Sequence, residues 1–270
     1  MRIALLSDSP TLTTGFGVTA SRIAQTLRDA EHDVACFGFK ARENSWDASQ
    51  YGYRIWAAGG GDNWPRVLPE FFAREKPQAV LLNMDIFNAR EVLDHCQRAG
   101  WQGPTIAYLM LDGLPAYRQY LDALREISAF LITTQTGVEY MRGCGFSRLF
   151  LAPPGVEARV FRSLPNARQL REMVGLHDKF MVGVFGRNTE RKQQARVLLA
   201  LAKLRRAGRD SNIFVYFHCN PRGYWHLDEI AQDLGVLDRV LFAGSGSFDE
   251  TMGVPCESKS AVVNYGVFRF

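Results

Sequence analysis

The sequence predicts an α/β protein of two doubly wound lobes, the second of them incomplete. Three observations carry that expectation. Short apolar runs alternate with amphipathic helical stretches from the N-terminus onward, the pattern of parallel strands joined by crossover helices. Pro153-Pro154-Gly155 is the strongest break, because two prolines fix φ and remove donors while the glycine frees the turn. Three strands follow that break, and from Ser245 to Phe270 the alternation is lost. The expected boundaries are therefore 1–155 for a full lobe and 156–270 for a partial one.

The elements follow in order. Arg2–Ser7 is an apolar run, succeeded by a Thr/Gly-rich loop and an amphipathic helix near Thr19–Ala30. Asp33–Phe39 closes a strand–helix–strand unit whose crossover is long enough to make the two strands parallel. Tyr53–Trp56 reads as the next strand, Gly59–Gly61 as a loop, Trp64–Glu75 as a helix and Ala79–Asn83 as a strand. A helix near Ala89–Ala99 leads to the strand Thr105–Met110, with Asp112-Gly113 at its carboxyl end. Pro115–Glu126, Ala129–Thr133, Val138–Arg142 and Leu149–Ala152 continue the alternation to six or seven strands. Beyond the break, a helix near Ala167–Val174 precedes the strand Phe180–Phe185. The basic loop from Gly186, the helix Gln194–Ala207, the strand Asn212–His218, the helix Tyr224–Leu234 and the strand Arg239–Phe242 complete the series.

Composition narrows the class. A chain of 270 residues with 47% hydrophobic and 22% charged residues has enough apolar side chains for a core and lacks the profile of a disordered protein. No apolar run approaches the roughly 18 residues that cross a bilayer, and Met1–Leu6 turns polar at Ser7-Asp8 too early for a signal peptide. The expectation is a cytoplasmic protein. Five cysteines without a C-x-x-C pair read as reduced thiols, and five dispersed histidines offer no paired ligands, so no metal site is expected. A formal charge of +4 admits an anionic ligand but is not the basic stripe of a nucleic-acid binder.

Several constellations could carry chemistry. Thr13-Thr14-Gly15-Phe16-Gly17 stands between the first strand and the first helix, where backbone amides and the positive helix end face an anion. A tight turn without a ligand accounts for the same residues. Asp112-Gly113-Leu114-Pro115 sits at a strand's carboxyl end, the edge where open α/β sheets bind ligands, and equally describes a turn and helix start. Asn83 and Asp85 face the same edge. Gly186-Arg187-Asn188-Thr189-Glu190-Arg191-Lys192 is the sharpest feature: it brings Arg187 and Lys192 near a helix N-terminus, where cations are unfavourable unless an anion or carboxylate offsets them, although a solvated basic loop describes the same residues. His226, Tyr224 and Trp225 read as surface or packing residues as readily as a base and a stacking platform.

The order of these motifs resembles the GT-B glycosyltransferases, in particular the retaining, nucleotide-sugar-dependent family 4 (group 1) enzymes. Gly15-Phe16-Gly17 with Glu31-His32-Asp33-Val34 is similar to the start of that family's acceptor lobe, and Tyr108–Pro115 to its central acceptor-lobe loop. Pro154–Phe161 resembles the interlobe segment. Phe185-Gly186-Arg187 with Lys192 is similar to the donor-lobe Gly-Arg…Lys pair, and Leu234–Gly244 to a later helix-to-strand join. The likeness covers most of residues 1–244.

The resemblance implies two Rossmann-like lobes (GT-B) and transfer of a sugar from a nucleotide-diphosphate sugar with retention of configuration. In that scheme Arg187 and Lys192 stabilise the leaving diphosphate in place of a protein-bound metal, and Gly15, Gly17 and Gly186 let backbone approach the phosphates. Asn83, Asp85 and Asp112 face the acceptor, which is a glycan, a lipid-linked sugar or a small molecule, and Asp112 is the best sugar-hydroxyl contact. No cofactor is implied beyond the donor substrate. The histidine that many members carry in the central loop is absent from Met110-Leu111-Asp112-Gly113. The family's Glu-x7-Glu element is missing as well; Asp249 and Glu257 share its spacing but not its context. A competing reading is therefore a non-catalytic binding or scaffold protein derived from such an enzyme, completed by a homodimer contact or a partner chain. A nicotinamide-dependent oxidoreductase fits poorly, since Phe37-Gly38-Phe39-Lys40 supplies no acidic residue after the second strand.

Overall fold

The computed structural model describes all residues except 42, 46–47, 60–62, 112, 159–160, 164, 174–175, 244–247, 250–253 and 256–270; of residues 48–49, 170, 173, 248–249 and 254–255 the backbone alone is described. The chain divides into two compact units, Met1–Gly155 and Val156–Phe270.

The first unit holds β1 (Arg2–Asp8), α1 (Gly15–Asp29), β2 (Asp33–Phe39), α2 (Ala48–Tyr51), β3 (Arg54–Ala57), α3 (Trp64–Glu75), β4 (Ala79–Asp85) and α4 (Ile86–Arg98). β5 (Thr105–Met110), α5 (Arg118–Ala123), β6 (Ala129–Ile132), α6 (Gln135–Gly143) and β7 (Leu149–Leu151) complete it. Among the described residues its sheet has seven parallel strands in the order β3-β2-β1-β4-β5-β6-β7. The order reverses between β1 and β4, which makes the crevice outside their carboxyl ends the place where such sheets bind ligands.

β1 is apolar from Ile3 to Leu6 because that stretch is covered on both faces, as central parallel strands are. Alternate residues enter different cores. Ala4 and Leu6 join Phe37, Leu68, Phe71, Leu82 and Leu109 in one cluster, while Leu5 joins Ala20, Ala24, Cys36, Ile55 and Leu81 in the other, beneath α1. Full burial of each such Leu or Phe contributes about 1.5–3 kcal/mol. Ser7 and Asp8 of β1 and Asn83 of β4 are buried polar residues, and all three lie at the reversal point.

The second unit contains α7 (Ala167–Met173), β8 (Phe180–Phe185), α8 (Ala195–Arg206), β9 (Ile213–His218), α9 (Leu227–Asp233) and β10 (Val240–Phe242), with a short antiparallel pair β11 (Phe248–Asp249) and β12 (Val254–Pro255). Among the described residues its parallel sheet has three strands in the order β10-β9-β8. Val215 and Phe217 of β9 pack with Leu198, Leu201 and Ala202 of α8 and with Leu227 and Ala231 of α9.

Several helix starts differ from the sequence expectation: α4 begins at Ile86 rather than near Ala89, α5 at Arg118 rather than Pro115 and α6 at Gln135 rather than Val138, and two more have an evident local cause. α1 begins at Gly15 rather than near Thr19, because Thr14 caps it: its side-chain oxygen accepts from the Gly17 N–H. The glycine segment is thus the first turn of the helix and not a loop before it. α9 begins at Leu227 rather than Tyr224, since Asn220–His226 forms a loop closed by a bridge between Arg222 and His226.

Candidate functional site

At the carboxyl edge of the first unit the chain builds the α1 terminus from two sides. From β1, Asp8 accepts from the Thr14 hydroxyl at 2.8 Å and pairs with Lys40, beyond β2, at 3.0 Å. Thr14 in turn caps Gly17 at 2.9 Å. From β4, the Asn83 side-chain Nδ2 donates to Ser7 Oγ at 2.8 Å and to the Phe16 carbonyl at 3.0 Å. Gly17 is required at its place, since a Cβ there would stand 2.5 Å from the Leu12 carbonyl oxygen and 2.7 Å from that of Ser9. Gly15 faces open space, with nothing within 4 Å of a Cβ. No acidic residue occupies the first turn of α1, so its positive end is uncompensated within the helix.

The expected acceptor contacts divide three ways. Asn83 is enclosed, at 0% exposure, with its amide holding the Phe16 peptide; it positions the α1 terminus rather than meeting a ligand from solvent, because neither of its polar atoms reaches the surface. Asp85 is half-buried at the N-cap of α4, in extended backbone and without a capping bond from its side chain. Asp112 lies outside the described residues. Glu257 does so too, and only the backbone of Asp249 is described.

In the second unit the β8–α8 connection carries the basic residues. Gly186 has φ +132°, a region L side chains avoid, and the Lys192 side chain passes beside it, its Cε 4.0 Å from the position a Cβ would take. Arg187 and Lys192 are both exposed. Lys192 ends a 3-10 turn, Glu190–Lys192, that stands just ahead of α8, whose first turn has no acidic residue. Beside this connection, at the ends of β8 and β9, the Phe185 ring stands 5.4 Å from His218, and the Tyr216 hydroxyl lies 2.8 Å from His218 Nδ1. Burial pushes the Tyr216 phenol up to about 12. His226 is exposed and lies 3.3 Å from Glu229, the surface alternative of its two readings.

Sequence reasoning missed Asp8, Lys40 and Gln194. Thr14 carries the ordinary signal of an N-cap residue before a helix, whereas Asp8 and Lys40 meet only through the pairing of β1 with β2. Among the described residues no group of three or more His, Cys, Asp and Glu side chains is placed to hold a metal ion, and no helix is long and apolar enough to cross a membrane.

This architecture is that of the GT-B class: the chain has the α/β fold of the GT-B glycosyltransferases. Among solved structures it is similar to Anabaena Alr3699/HepE in complex with UDP, at 17% identity and a TM-score of 0.64 over 90% of this chain and 69% of that one. It is also similar to trehalose-6-phosphate synthase, OtsA, at 12% identity and a TM-score of 0.60 over 93% and 75% of the two chains. At such identities the likeness is one of fold. Among curated proteins it is similar to the GDP-mannose-dependent alpha-(1-6)-phosphatidylinositol monomannoside mannosyltransferase of Mycolicibacterium smegmatis, 34% identical over 111 residues. That match takes in 40% of this chain and 26% of the mannosyltransferase, about a quarter of its length. No family profile matches the chain.

Proposed function

We propose that the protein is a glycosyltransferase that moves a sugar from a nucleotide-diphosphate sugar to an acceptor hydroxyl with retention of configuration. The observation that carries this reading is the Gly186–Lys192 connection: the exposed cations Arg187, Arg191 and Lys192, a glycine in a conformation reserved for it, and a helix N-terminus without its own acid. An anion with several acceptor oxygens answers all three.

In this reading the bond from the anomeric carbon to the diphosphate oxygen breaks as the acceptor oxygen bonds to that carbon from the same face, and the proton of the acceptor hydroxyl passes to the departing diphosphate. The negative charge that develops on the diphosphate meets Arg187 and Lys192, whose attraction grows as charge separates; that difference between ground and transition state is what accelerates the step. The donor is itself the substrate, and in this reading the step uses neither a resident cofactor nor a protein-bound metal. Gly15, with open space before it, lets the α1 terminus approach a phosphate or sugar hydroxyl, while Asp85 and Asp112 receive acceptor hydroxyls. Asn83 and Gly17 build that terminus. The free thiols of Cys36, Cys96, Cys144 and Cys219 fit work in the reducing cytoplasm.

UDP-glucose and GDP-mannose are the donors to try first, since Alr3699/HepE is also solved in complex with UDP-glucose and the curated relative is GDP-mannose-dependent. Purified protein supplied with them and an acceptor extract should release UDP or GDP. Lys192→Ala should lower that release by about 10²–10³-fold, the scale of losing one stabilising donor. Full activity in the variant removes Lys192 from the mechanism. Nucleotide binding by calorimetry without transfer or donor hydrolysis would instead establish the non-catalytic alternative.

A further inference from the structure

Asn188 lies in the middle of the basic connection yet is buried, at 5% exposure, and every hydrogen bond of its side chain goes to another segment. Its Nδ2 donates to the Asn220 carbonyl at 3.0 Å and to the Trp225 carbonyl at 2.7 Å, and its Oδ1 accepts from the Trp225 N–H at 3.2 Å. The backbone adds a further tie, the Tyr224 N–H donating to the Asn188 carbonyl at 3.2 Å. Gly223 makes this approach possible, because a Cβ there would stand 2.8 Å from both Cβ and the carbonyl oxygen of Asn188. On the other flank, the buried Gln194 donates its Nε2 to the Arg187 carbonyl at 2.7 Å. The segment that carries Arg187 and Lys192 is therefore braced from behind by one amide and tied by another to the β9–α9 loop.

We propose that Asn188 is a positioning residue that locks the β8–α8 connection to the Asn220–His226 loop, so that Arg187 and Lys192 are presented to a diphosphate before it binds. The proposal rests on the reading of those two cations as the diphosphate site. Its physical basis is pre-organisation: a loop already in its bound conformation loses less entropy on binding, and the gain appears as affinity. Neither Asn188 nor Gly223 touches the ligand in this scheme; both act through the loop.

The test compares the full chain with Asn188→Ala, Gly223→Ala and Lys192→Ala. Inorganic pyrophosphate is the probe by calorimetry, with UDP and GDP alongside, at a temperature where circular dichroism shows each variant folded. Hydrogen exchange follows the Tyr224 and Trp225 amides. The expected result is that Asn188→Ala and Gly223→Ala both weaken pyrophosphate binding about tenfold and speed exchange at Tyr224 and Trp225, although neither removes a charge. Lys192→Ala should weaken binding with exchange unchanged. If either folded variant speeds exchange while its affinity stays at the wild-type value, the lock is merely structural and the proposal fails; unchanged exchange in both refutes the lock itself. Should the wild-type chain bind none of the three probes, the diphosphate reading falls, and the exchange data still decide whether the two loops are locked. Gly223→Ala keeps the proposal open to refutation if Asn188→Ala does not fold, because it strains the same contact from the opposite side and leaves Asn188 in place.

Discussion

The Asn83 side chain, near the end of β4, donates to the main-chain carbonyl of Phe16, 67 positions earlier, at 3.0 Å. One buried amide thereby joins the two strands at which the first sheet reverses direction to the helix terminus between them. Its Oδ1 has no hydrogen-bond partner among the described residues, so the bonds made by Nδ2 carry the whole of its contribution.

Replacing Asn83 with Ala should therefore lower unfolding free energy by about 2 kcal/mol, since the Phe16 carbonyl and Ser7 Oγ lose a buried donor and a small cavity opens. Urea unfolding of the purified chain measures it. A change within experimental error would mean that the terminus is built by Asp8 and Thr14 alone.

Gly15 and Gly17 separate packing from function. Gly17→Ala forces its Cβ against two backbone oxygens and should destabilise by about 1–3 kcal/mol, because backbone must shift to admit it. Gly15→Ala meets nothing and occupies a helical position, so stability should hold or rise by up to about 1 kcal/mol. Thermal unfolding compares the two. Lost transfer activity in a fully stable Gly15→Ala protein is the expected signature of a terminus that must approach its ligand closely.

Thr14→Ala removes both the cap of Gly17 and the hydrogen bond to Asp8. The expected cost is about 1 kcal/mol, with faster hydrogen exchange confined to the first turn of α1. Exchange spreading through the whole helix would contradict a purely local role.

Alkaline pH should destabilise the second unit through groups that burial keeps neutral. The Cys219 thiol is pushed from 9.0 up to about 11, and the Tyr216 phenol from 10.0 up to about 12. Because both folded values lie above the unfolded ones, the unfolded chain releases protons first. The stabilisation is complete below pH about 9 and is lost as pH rises to about 12. Denaturant midpoints measured from pH 8 to 12 should be flat and then fall, and Cys219→Ala combined with Tyr216→Phe should make the fall shallower. Equal slopes in the two proteins would remove these groups as the cause.

Much of this architecture is legible along the chain because parallel strands buried on both faces must be continuously apolar. Ile3–Leu6, Ala79–Leu82 and Ile106–Met110 announce themselves in that way. The helix starts were less legible. The glycines of Gly15-Phe16-Gly17 signal a loop by composition, and only Thr14, folding back on the Gly17 N–H, turns them into a helical first turn. Likewise Tyr224 and Trp225 read as the opening of a helix, whereas Asn188 draws their backbone into a loop.

What the sequence by itself determined is the layered α/β plan and the residues that can bear charge at its edges, for these follow from hydrophobic periodicity and from side-chain chemistry close in the chain. Tertiary structure alone decided which polar residues stand outward and which turn inward. Arg187 and Lys192 remain exposed, whereas Asn83 and Asn188, equally polar in sequence, are enclosed as ties between segments. The reason is that a buried amide requires partners for its donors, and those partners are backbone carbonyls brought near only by strand order and loop packing. Local sequence encodes a group's chemistry; long-range pairing decides whether that chemistry faces a ligand or holds the protein together.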